Sequence, residues 1–256
     1  MHKIPVGDEV SLEITCNSTI DFSCSENVCA NEDNLAYKAF VLYRDKAISK
    51  GHERFGAKIR IEKVMPTGAG LAGGSADGAA VLDLLNKALG VMTDSEMHSL
   101  AEALGSDVPF CLEKHTSCLC SGRGEVMKDI TPLHDVFCVV AKPNENLPTK
   151  GIYKSYDELH GDDYTKNASF LMENALFSGN MKEVSSLLVN DFEEICVKRL
   201  PEIEKLRKDM ISFGAMNARM SGSGSSVFGL FDNEKDMKNC EKDFLNRGLF
   251  CRSFRY

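Results

Sequence analysis

Alternating polar and apolar residues predict short β-strands at several places in the chain. Residues 8–23 alternate on both sides of a turn at 17–18, so they predict two strands. Residues 57–64 alternate again and predict a third strand with one face in water. Further short strands are predicted within residues 117–141, where residues 121–125 form a turn.

Helices are predicted where apolar residues recur every three to four positions. The first follows Asn34, a residue suited to cap it, and ends before Gly51. The other predicted helices are Ala76–Leu89, closed by Gly90, a helix capped by Asp94, Ser169–Phe177, Met181–Phe192, Pro201–Phe213 and Glu234–Asn246. Two more strands, Val227–Phe231 and Leu249–Phe254, flank the last of these helices.

The 256 residues suggest two domains at ~150 residues each. Proline and asparagine become frequent at Lys142–Pro148, and we predict the domain boundary there. This gives one domain of residues 1–142 and another of residues 143–256.

Composition limits the classes of function. The chain has 30 Lys and Arg against 38 Asp and Glu, a net charge of -8, which argues against a nucleic-acid partner. No apolar run approaches the ~20 residues of a membrane span, and the first residues are not typical of a targeting signal. We therefore expect a cytoplasmic protein with no membrane partner, and leave its oligomeric state open.

The ten cysteines are scattered and contain no C-x-x-C motif. Buried free thiols are therefore expected rather than a disulfide framework. The possible metal ligands that lie closest together in sequence are His115, Cys118 and Cys120. A zinc site there would need a second pair of ligands.

A glycine-rich loop at residues 66–76 carries the strongest chemical signal. Four of the seven residues from 68 to 74 are glycine, and the loop leads directly into a predicted helix. Glycines let the backbone approach a ligand, and the amides at a helix N-terminus bind phosphate. The hydroxyl of Ser75 is suited to a phosphate oxygen or to Mg²⁺. The alternative is a tight strand-to-helix turn whose glycines only relieve crowding.

Other phosphate-binding motifs fit less well. The spacing Gly68-x-Gly70-x-x-Gly73 matches the dinucleotide fingerprint, but the strand before it is half polar and the element after Gly90 is a helix. A Walker A loop is excluded because no G-K-[ST] follows. A protein kinase is excluded because H-R-D and D-F-G are absent.

On these residues the chain resembles the GHMP kinase superfamily, small-molecule kinases that share a P-x-G-x-G-L-x-S-S type of loop. The pair Gly73-Gly74 before Ser75 is, more narrowly, similar to the 4-diphosphocytidyl-2-C-methyl-D-erythritol kinases; homoserine and mevalonate kinases usually have Gly-Ser-Ser there. The segments Leu104–Phe110 and Met220–Phe228 also match. The resemblance covers nearly the whole chain.

The resemblance implies an α+β fold with an N-terminal nucleotide-binding domain and a C-terminal ferredoxin-like domain. It implies ATP and Mg²⁺ as cofactors and 4-diphosphocytidyl-2-C-methyl-D-erythritol, a small molecule, as the substrate. The reaction would be phosphorylation of its 2-hydroxyl in non-mevalonate isoprenoid biosynthesis. Alternatives are a GHMP kinase for another alcohol such as homoserine, a nucleotide-binding relative with impaired catalysis, and a dinucleotide-dependent oxidoreductase.

The resemblance also implies roles for individual residues. Spacing alone makes Asp107 typical of a turn or a helix cap, whereas the family match implies a catalytic carboxylate near the acceptor hydroxyl. Asn34 would border the adenine. The residues implied to bind the nucleotide are Pro66, Thr67, Gly68, Ala69, Gly70, Leu71, Ala72, Gly73, Gly74, Ser75, Ala76 and Asn34. Those implied to shape the substrate pocket are Ser221, Gly222, Ser223 and Gly224, and Ser75 is the candidate Mg²⁺ ligand.

The family begins with an A-K-I-N-L strand and a G-Y-H-E segment, and this sequence contains neither. Residues 57–59 read Ala-Lys-Ile, but they lie on the strand before the glycine loop, so the role of the family's lysine is not transferred to Lys58. We expect either a misplaced start or a shortened chain. This polypeptide is expected to be weakly active or inactive, because loss of one electrostatic group costs ~10²–10³ in rate.

Overall fold

The protein is described by a computed structural model over residues 1–26, 29–160 and 168–256. Its contacts divide the described chain into two compact units. The first contains residues 1–67 and 72–129, and the second contains residues 68–71 and 130–256. None of the helices described in these ranges is long and apolar enough to cross a membrane.

The first unit combines a three-stranded sheet, a helical layer and a hairpin. Its strands are β1 (Glu9–Thr15), β2 (Ile20–Cys24), β3 (Gly56–Glu62), β4 (Cys118–Ser121) and β5 (Val126–Asp129). Its helices are α1 (Leu35–Ser49), α2 (Gly73–Leu89), α3 (Asp94–Leu104) and α4 (Val108–Leu112), with a short 3-10 turn at Asn31–Asp33. The strands predicted before residue 65 are confirmed.

Strand β3 lies at the centre of the three-stranded sheet. It pairs antiparallel with β1, with Glu9 opposite Glu62, and parallel with β2. Strands β1 and β2 therefore lie on opposite sides of β3, although a short turn joins them. The inward side chains of β3, including Ile59 and Ile61, are buried and pack in one core with α1 and α2.

The capping residues predict the start of α1 correctly, but the predicted starts of α2 and α3 need correction. Asn34 caps α1 through a hydrogen bond from the Ala36 amide, as predicted. Helix α2 begins at Gly73 rather than at the predicted Ala76. Helix α3 is capped by Thr93, not Asp94, because Thr93 and Glu96 form a reciprocal capping box.

The second unit has one antiparallel sheet covered by helices. Its strands are β6 (Phe137–Lys142), β7 (Asn217–Met220), β8 (Val227–Phe231) and β9 (Phe250–Arg255). Its helices are α5 (Thr149–His160), α6 (Ala168–Ser178), α7 (Met181–Ser186), α8 (Glu193–Arg199), α9 (Glu202–Ser212) and α10 (Glu234–Asn246). The strand order β7-β8-β6-β9 is that of a ferredoxin-like sheet, as the resemblance implies.

The division between the units differs from the predicted boundary at 142–143. Strand β6 pairs with β8 on one side and β9 on the other, so it belongs to the second unit, which resumes at Ile130. The proline-rich stretch at 143–148 follows β6 and is a loop inside that unit.

The predicted helix Met181–Phe192 is shorter in the structure, and a separate helix that was not predicted follows it. Helix α7 ends at Ser186, and α8 begins at Glu193. Between them, the Asn190 amide group donates hydrogen bonds to the carbonyls of Met220 and Gly222 at 2.7 and 2.9 Å. These contacts hold a connection without regular helix where the apolar spacing alone predicts that the helix continues to Phe192.

Candidate active site

The glycine loop turns sharply before α2. Gly68 and Gly70 have φ of 65° and 70°, and Ala72, which is not a glycine, has φ of 53°. A residue with a side chain costs ~1–2 kcal/mol in this left-handed region. The turn at Ala72 directs the chain into α2 at Gly73, and a Cβ added at Gly74 would meet only open space.

The N-terminus of α2 has no side-chain cap. Ala72 occupies the capping position and offers no side-chain acceptor, whereas Asn34 and Thr93 cap α1 and α3. The first amides of a helix need an acceptor, and an anion placed there also benefits from the helix dipole. The first turn of this 17-residue helix is thus suited to phosphate.

Within the second unit, residues 68–71 of the glycine loop lie backbone to backbone against the loop at residues 221–226. The Ser221 hydroxyl donates to the Gly70 carbonyl at 2.8 Å, and the Ser226 amide donates to the Ala69 carbonyl at 3.1 Å. A Cβ on Gly70 would lie 2.3 Å from the Ser221 carbonyl oxygen, so only glycine permits this approach. The two glycine-containing loops singled out in the sequence are therefore neighbours.

Other side chains of the second unit hold the 221–226 loop in place. The hydroxyls of Ser223 and Thr149 are 3.0 Å apart, and the Ser225 hydroxyl donates to the Glu145 carbonyl at 2.8 Å. The buried Lys142 ammonium donates to the carbonyls of Pro143 and Glu145, and burial lowers its pKa. The hydroxyls of Ser221 and Ser223 are thus engaged within the protein, and the backbone of this loop remains the candidate substrate contact.

Asp107 occupies the capping position of α4, but its carboxylate makes no capping hydrogen bond. Among the described residues it also forms no ion pair. The residue is exposed at the surface, yet surrounding protein atoms displace enough water from the carboxylate to raise its pKa. A carboxylate that has no structural partner and an increased basicity is suited to accept or orient a proton.

Asp107 lies in the same unit as the start of α2. Helix α4, which follows it, packs against α2. The thiol of Cys111 in α4 has its pKa raised to about 12 by burial first and then by the charges of Asp107 and Asp77. Both carboxylates therefore disfavour the thiolate form of Cys111.

Three buried charged side chains lie beside the start of α2. The Lys63 ammonium is 2.8 Å from the Asp77 carboxylate and also contacts the Asp8 carboxylate. The other Asp8 oxygen accepts hydrogen bonds from the amides of Val64 and Met65 at 2.6 and 2.7 Å. Burial raises the pKa of Asp77 to about 6, although Lys63 acts in the opposite direction. None of these three residues was predicted from the sequence to belong to the site.

The alternation of inward and outward residues along β3 points to this group of charged side chains. Residues 59 and 61 of β3 point inward, so the same alternation places Lys63 inward. The pairing of Glu9 with Glu62 places Asp8 opposite Lys63. A lysine at an inward position needs a buried countercharge, and the search for one leads to Asp8 and Asp77.

Asn34 also lies beside α2. Its side-chain oxygen accepts a hydrogen bond from the Ala36 amide at 2.9 Å. The next residue, Leu35, touches Gly78 of α2, where an added Cβ would lie 3.4 Å from the Leu35 side chain. The predicted contact between Asn34 and adenine stays a prediction.

The residues present fit a nucleotide with Mg²⁺. The Ser75 hydroxyl has no hydrogen-bond partner among the described residues, and Mg²⁺ commonly takes one or two protein oxygens together with phosphate oxygens. Asp77 is not available as a ligand because Lys63 engages it and only 4% of its side chain is exposed. Over the described ranges, no group of three or more His, Cys, Asp and Glu is arranged to hold a metal by itself.

Comparisons with known proteins identify the family. The family model for the GHMP kinases N terminal domain matches residues 34–115, and that for the GHMP kinases C terminal matches residues 172–248. The 4-diphosphocytidyl-2-C-methyl-D-erythritol kinase of Lachnoclostridium phytofermentans is 37% identical over 239 residues, which are 92% of this chain and 79% of the relative. The corresponding kinase of Clostridium perfringens is 35% identical over 95% of this chain and 82% of its own length.

The chain belongs to the 4-diphosphocytidyl-2-C-methyl-D-erythritol kinase family of GHMP kinases.

Solved structures agree with this assignment. A crystal structure of 4-(cytidine 5'-diphospho)-2C-methyl-D-erythritol kinase superposes with a TM-score of 0.77 at 28% identity, covering 97% of this chain and 86% of that one. Homoserine kinase from Cytophaga hutchinsonii has a TM-score of 0.75 at 18% identity, over 98% of this chain and 86% of that one, which shows a shared fold only. The two-domain GHMP kinase fold is thus confirmed, and the chain is a small-molecule kinase.

Proposed function

We propose that this kinase transfers the γ-phosphoryl group of ATP to the 2-hydroxyl of 4-diphosphocytidyl-2-C-methyl-D-erythritol, a step in isoprenoid precursor biosynthesis. The choice of acceptor is supported by the relatives that carry this activity in their names. The observation that carries the kinase chemistry is the uncapped N-terminus of α2 behind a glycine loop with left-handed turns.

In the proposed reaction, the amides of the glycine loop and the first turn of α2 bind the phosphates of ATP. Mg²⁺, when bound, neutralises charge on the phosphate oxygens, and Ser75 would be its protein ligand. Asn34 would border the adenine, and the backbone of residues 221–224 would face the acceptor.

Asp107 would orient the acceptor hydroxyl and accept its proton. The new bond joins the hydroxyl oxygen to the γ-phosphorus, the bond from that phosphorus to the bridging oxygen breaks, and ADP leaves. The raised pKa of Asp107 makes it a better proton acceptor than an ordinary aspartate.

The test measures ADP release with ATP, Mg²⁺ and one acceptor at a time. We expect weak but measurable turnover with 4-diphosphocytidyl-2-C-methyl-D-erythritol and none above background with homoserine or mevalonate. Turnover with homoserine instead would show that homoserine is the acceptor. Tight ATP binding without turnover on any acceptor would favour a nucleotide-binding relative with impaired catalysis.

Gly74→Ala tests the phosphate site without damaging the fold. The added methyl meets open space in the protein and lies in a helix, where alanine is favoured over glycine by ~0.5–1 kcal/mol. We expect unchanged or higher thermal stability together with weaker ATP binding, because the methyl would occupy the face proposed to meet phosphate. Unchanged ATP affinity would contradict the proposed phosphate contact.

A further inference from the structure

The Asp8, Lys63 and Asp77 side chains form a cluster of buried charges, named here the ion cluster. Their exposed fractions are 2%, 5% and 4%. Burying an ion in a protein costs several kcal/mol, and apolar residues of similar size often stabilise a fold as well or better. Three buried charges in one place are therefore poorly explained by stability alone.

The ion cluster joins the two ends of the glycine loop. Lys63 directly follows β3 and Asp77 lies in α2, and these two bonded residues are 14 positions apart in sequence. Asp8 binds the amides of Val64 and Met65, which lead into the loop. A single ammonium thus ties the segment entering the loop to the helix that leaves it.

The start of α2 also packs on the ion cluster. A Cβ added at Gly73 would lie 3.6 Å from an Asp8 oxygen and 3.7 Å from the Lys63 nitrogen. The helix end proposed to bind phosphate therefore rests directly on these charges. Lys63 itself points into the protein, with both carboxylates around its ammonium, and is not free to reach a phosphate.

We propose that Asp8, Lys63 and Asp77 are positioning residues that hold the loop of residues 64–76 in its nucleotide-binding conformation before the nucleotide arrives. This inference rests on the proposed function of that loop. A loop ordered in advance loses less conformational freedom on binding. The ion cluster then acts on the affinity for the nucleotide rather than on stability or on acceptor binding.

The deciding variant is Asp77→Leu, which cuts the tie between the loop ends. It leaves Lys63 and Asp8 as a balanced pair and removes a carboxylate whose charged form burial disfavours, so the unfolding temperature should change little. We expect ADP and MgATP to bind about 10-fold or more weakly, a size typical of misplaced binding groups, while the KM for the acceptor stays unchanged. Nucleotide binding is measured by calorimetry, with and without Mg²⁺, so that an effect on the metal is separated from an effect on the loop.

Two variants serve as matched controls. Asp77→Asn keeps an oxygen that can accept the Lys63 hydrogen bond, so most of the affinity should return. Asn86→Ala lies near the other end of α2, where Asn86 bonds to Tyr43 and to the backbone of Met92. It should lower the unfolding temperature and leave nucleotide affinity within about twofold. A merely structural role of the ion cluster would instead make affinity follow stability in all variants.

Hydrogen exchange provides a readout independent of activity. In the nucleotide-free protein, amides of residues 64–76 should exchange faster in Asp77→Leu than in the unmodified chain and in Asn86→Ala. If Asp77→Leu does not fold, Asp77→Ala makes the same cut with a smaller side chain that favours the helix.

Each outcome decides between the proposals. A folded Asp77→Leu or Asp77→Ala protein with unchanged nucleotide affinity and unchanged loop exchange would overturn the positioning role and leave the proposed function intact. Failure of the unmodified chain to bind any adenine nucleotide would overturn both proposals.

Discussion

Asp107 is a carboxylate with no hydrogen bond or ion pair among the described residues, beside a helix that it does not cap. Its contribution to catalysis can therefore be separated from its contribution to the fold. The displacement of water by surrounding protein atoms raises its pKa. Its carboxylate therefore becomes protonated at a higher pH than the carboxylate of an ordinary aspartate.

For Asp107→Asn we expect turnover to fall ~10²–10⁴-fold, the range of general acid–base catalysis. Activity of the unmodified kinase should fall as the pH drops through the raised pKa of Asp107, and this acidic limb should be absent from the residual activity of the variant. Stability at neutral pH should be unchanged or slightly higher, because the variant removes a charge that burial disfavours. A variant with full activity would exclude the proposed role.

Gly70 tests the close approach of the two glycine loops. Gly70→Ala places a side chain in the left-handed backbone region, which costs ~1–2 kcal/mol of stability. Its Cβ would also lie 2.3 Å from the Ser221 carbonyl oxygen. Gly248→Ala in the same unit shares the positive φ but meets nothing within 4 Å. In urea unfolding, Gly70→Ala should cost about 3 kcal/mol or more and Gly248→Ala about 1 kcal/mol. Equal losses would mean that the overlap is relieved by movement of the loop.

At the residue scale, local chemistry was predicted, whereas the buried charges were missed although the alternation of β3 places Lys63 inward. The sequence singles out Asn34 as a cap and Gly90 as a helix end, and both are observed. Asp77 directly follows the glycine loop and was given no role, because its partners belong to other elements of the chain. Asp8 and Lys63 are 55 positions apart and meet only because β1 pairs with β3.

At the scale of elements, α3 shows how neighbouring candidates for a cap differ. Asp94 was predicted, but the Thr93 hydroxyl accepts the Glu96 amide, and the Glu96 carboxylate accepts the Thr93 amide. Both residues are typical caps, so composition does not separate them. The reciprocal hydrogen bonds make Thr93 the cap.

Thr93→Ala should therefore destabilise the first unit by about 1 kcal/mol, more than Asp94→Ala. Lys50 and the Thr93 amide lower the pKa of Glu96 to about 2. A depressed carboxyl pKa adds stability above the ordinary value of 4.5, and this contribution is lost as the pH falls toward 2. Thermal unfolding between pH 2 and 5 should show a smaller pH dependence for Glu96→Gln. A larger loss from Asp94→Ala than from Thr93→Ala would reverse the assignment.

At the scale of the whole molecule, the cysteines report on the integrity of the cores. Cys16 and Cys29 are exposed, whereas Cys138, Cys240 and Cys251 are buried. Burial raises the pKa of Cys240 to about 12 and that of the other two further still, which removes the reactive thiolate.

A thiol reagent should modify Cys16 and Cys29 rapidly in the native protein. The three buried thiols should react only as the second unit unfolds, at a rate set by its opening. Mass spectrometry of partly labelled protein distinguishes the two groups. Fast labelling of Cys138 under native conditions would show that the core opens far more readily than this packing implies.

The sequence alone determined the cap of α1, the end of α2, most strands, the glycine loop and the family, because these depend on residues a few positions apart. Only the tertiary structure decided that β1 and β2 lie on either side of β3, that β6 belongs to the second unit, and that the connection at Asn190 interrupts a predicted helix. It also decided that Lys63 is buried between two carboxylates. Strand order and charge burial depend on partners distant in sequence, which come together only when the chain folds.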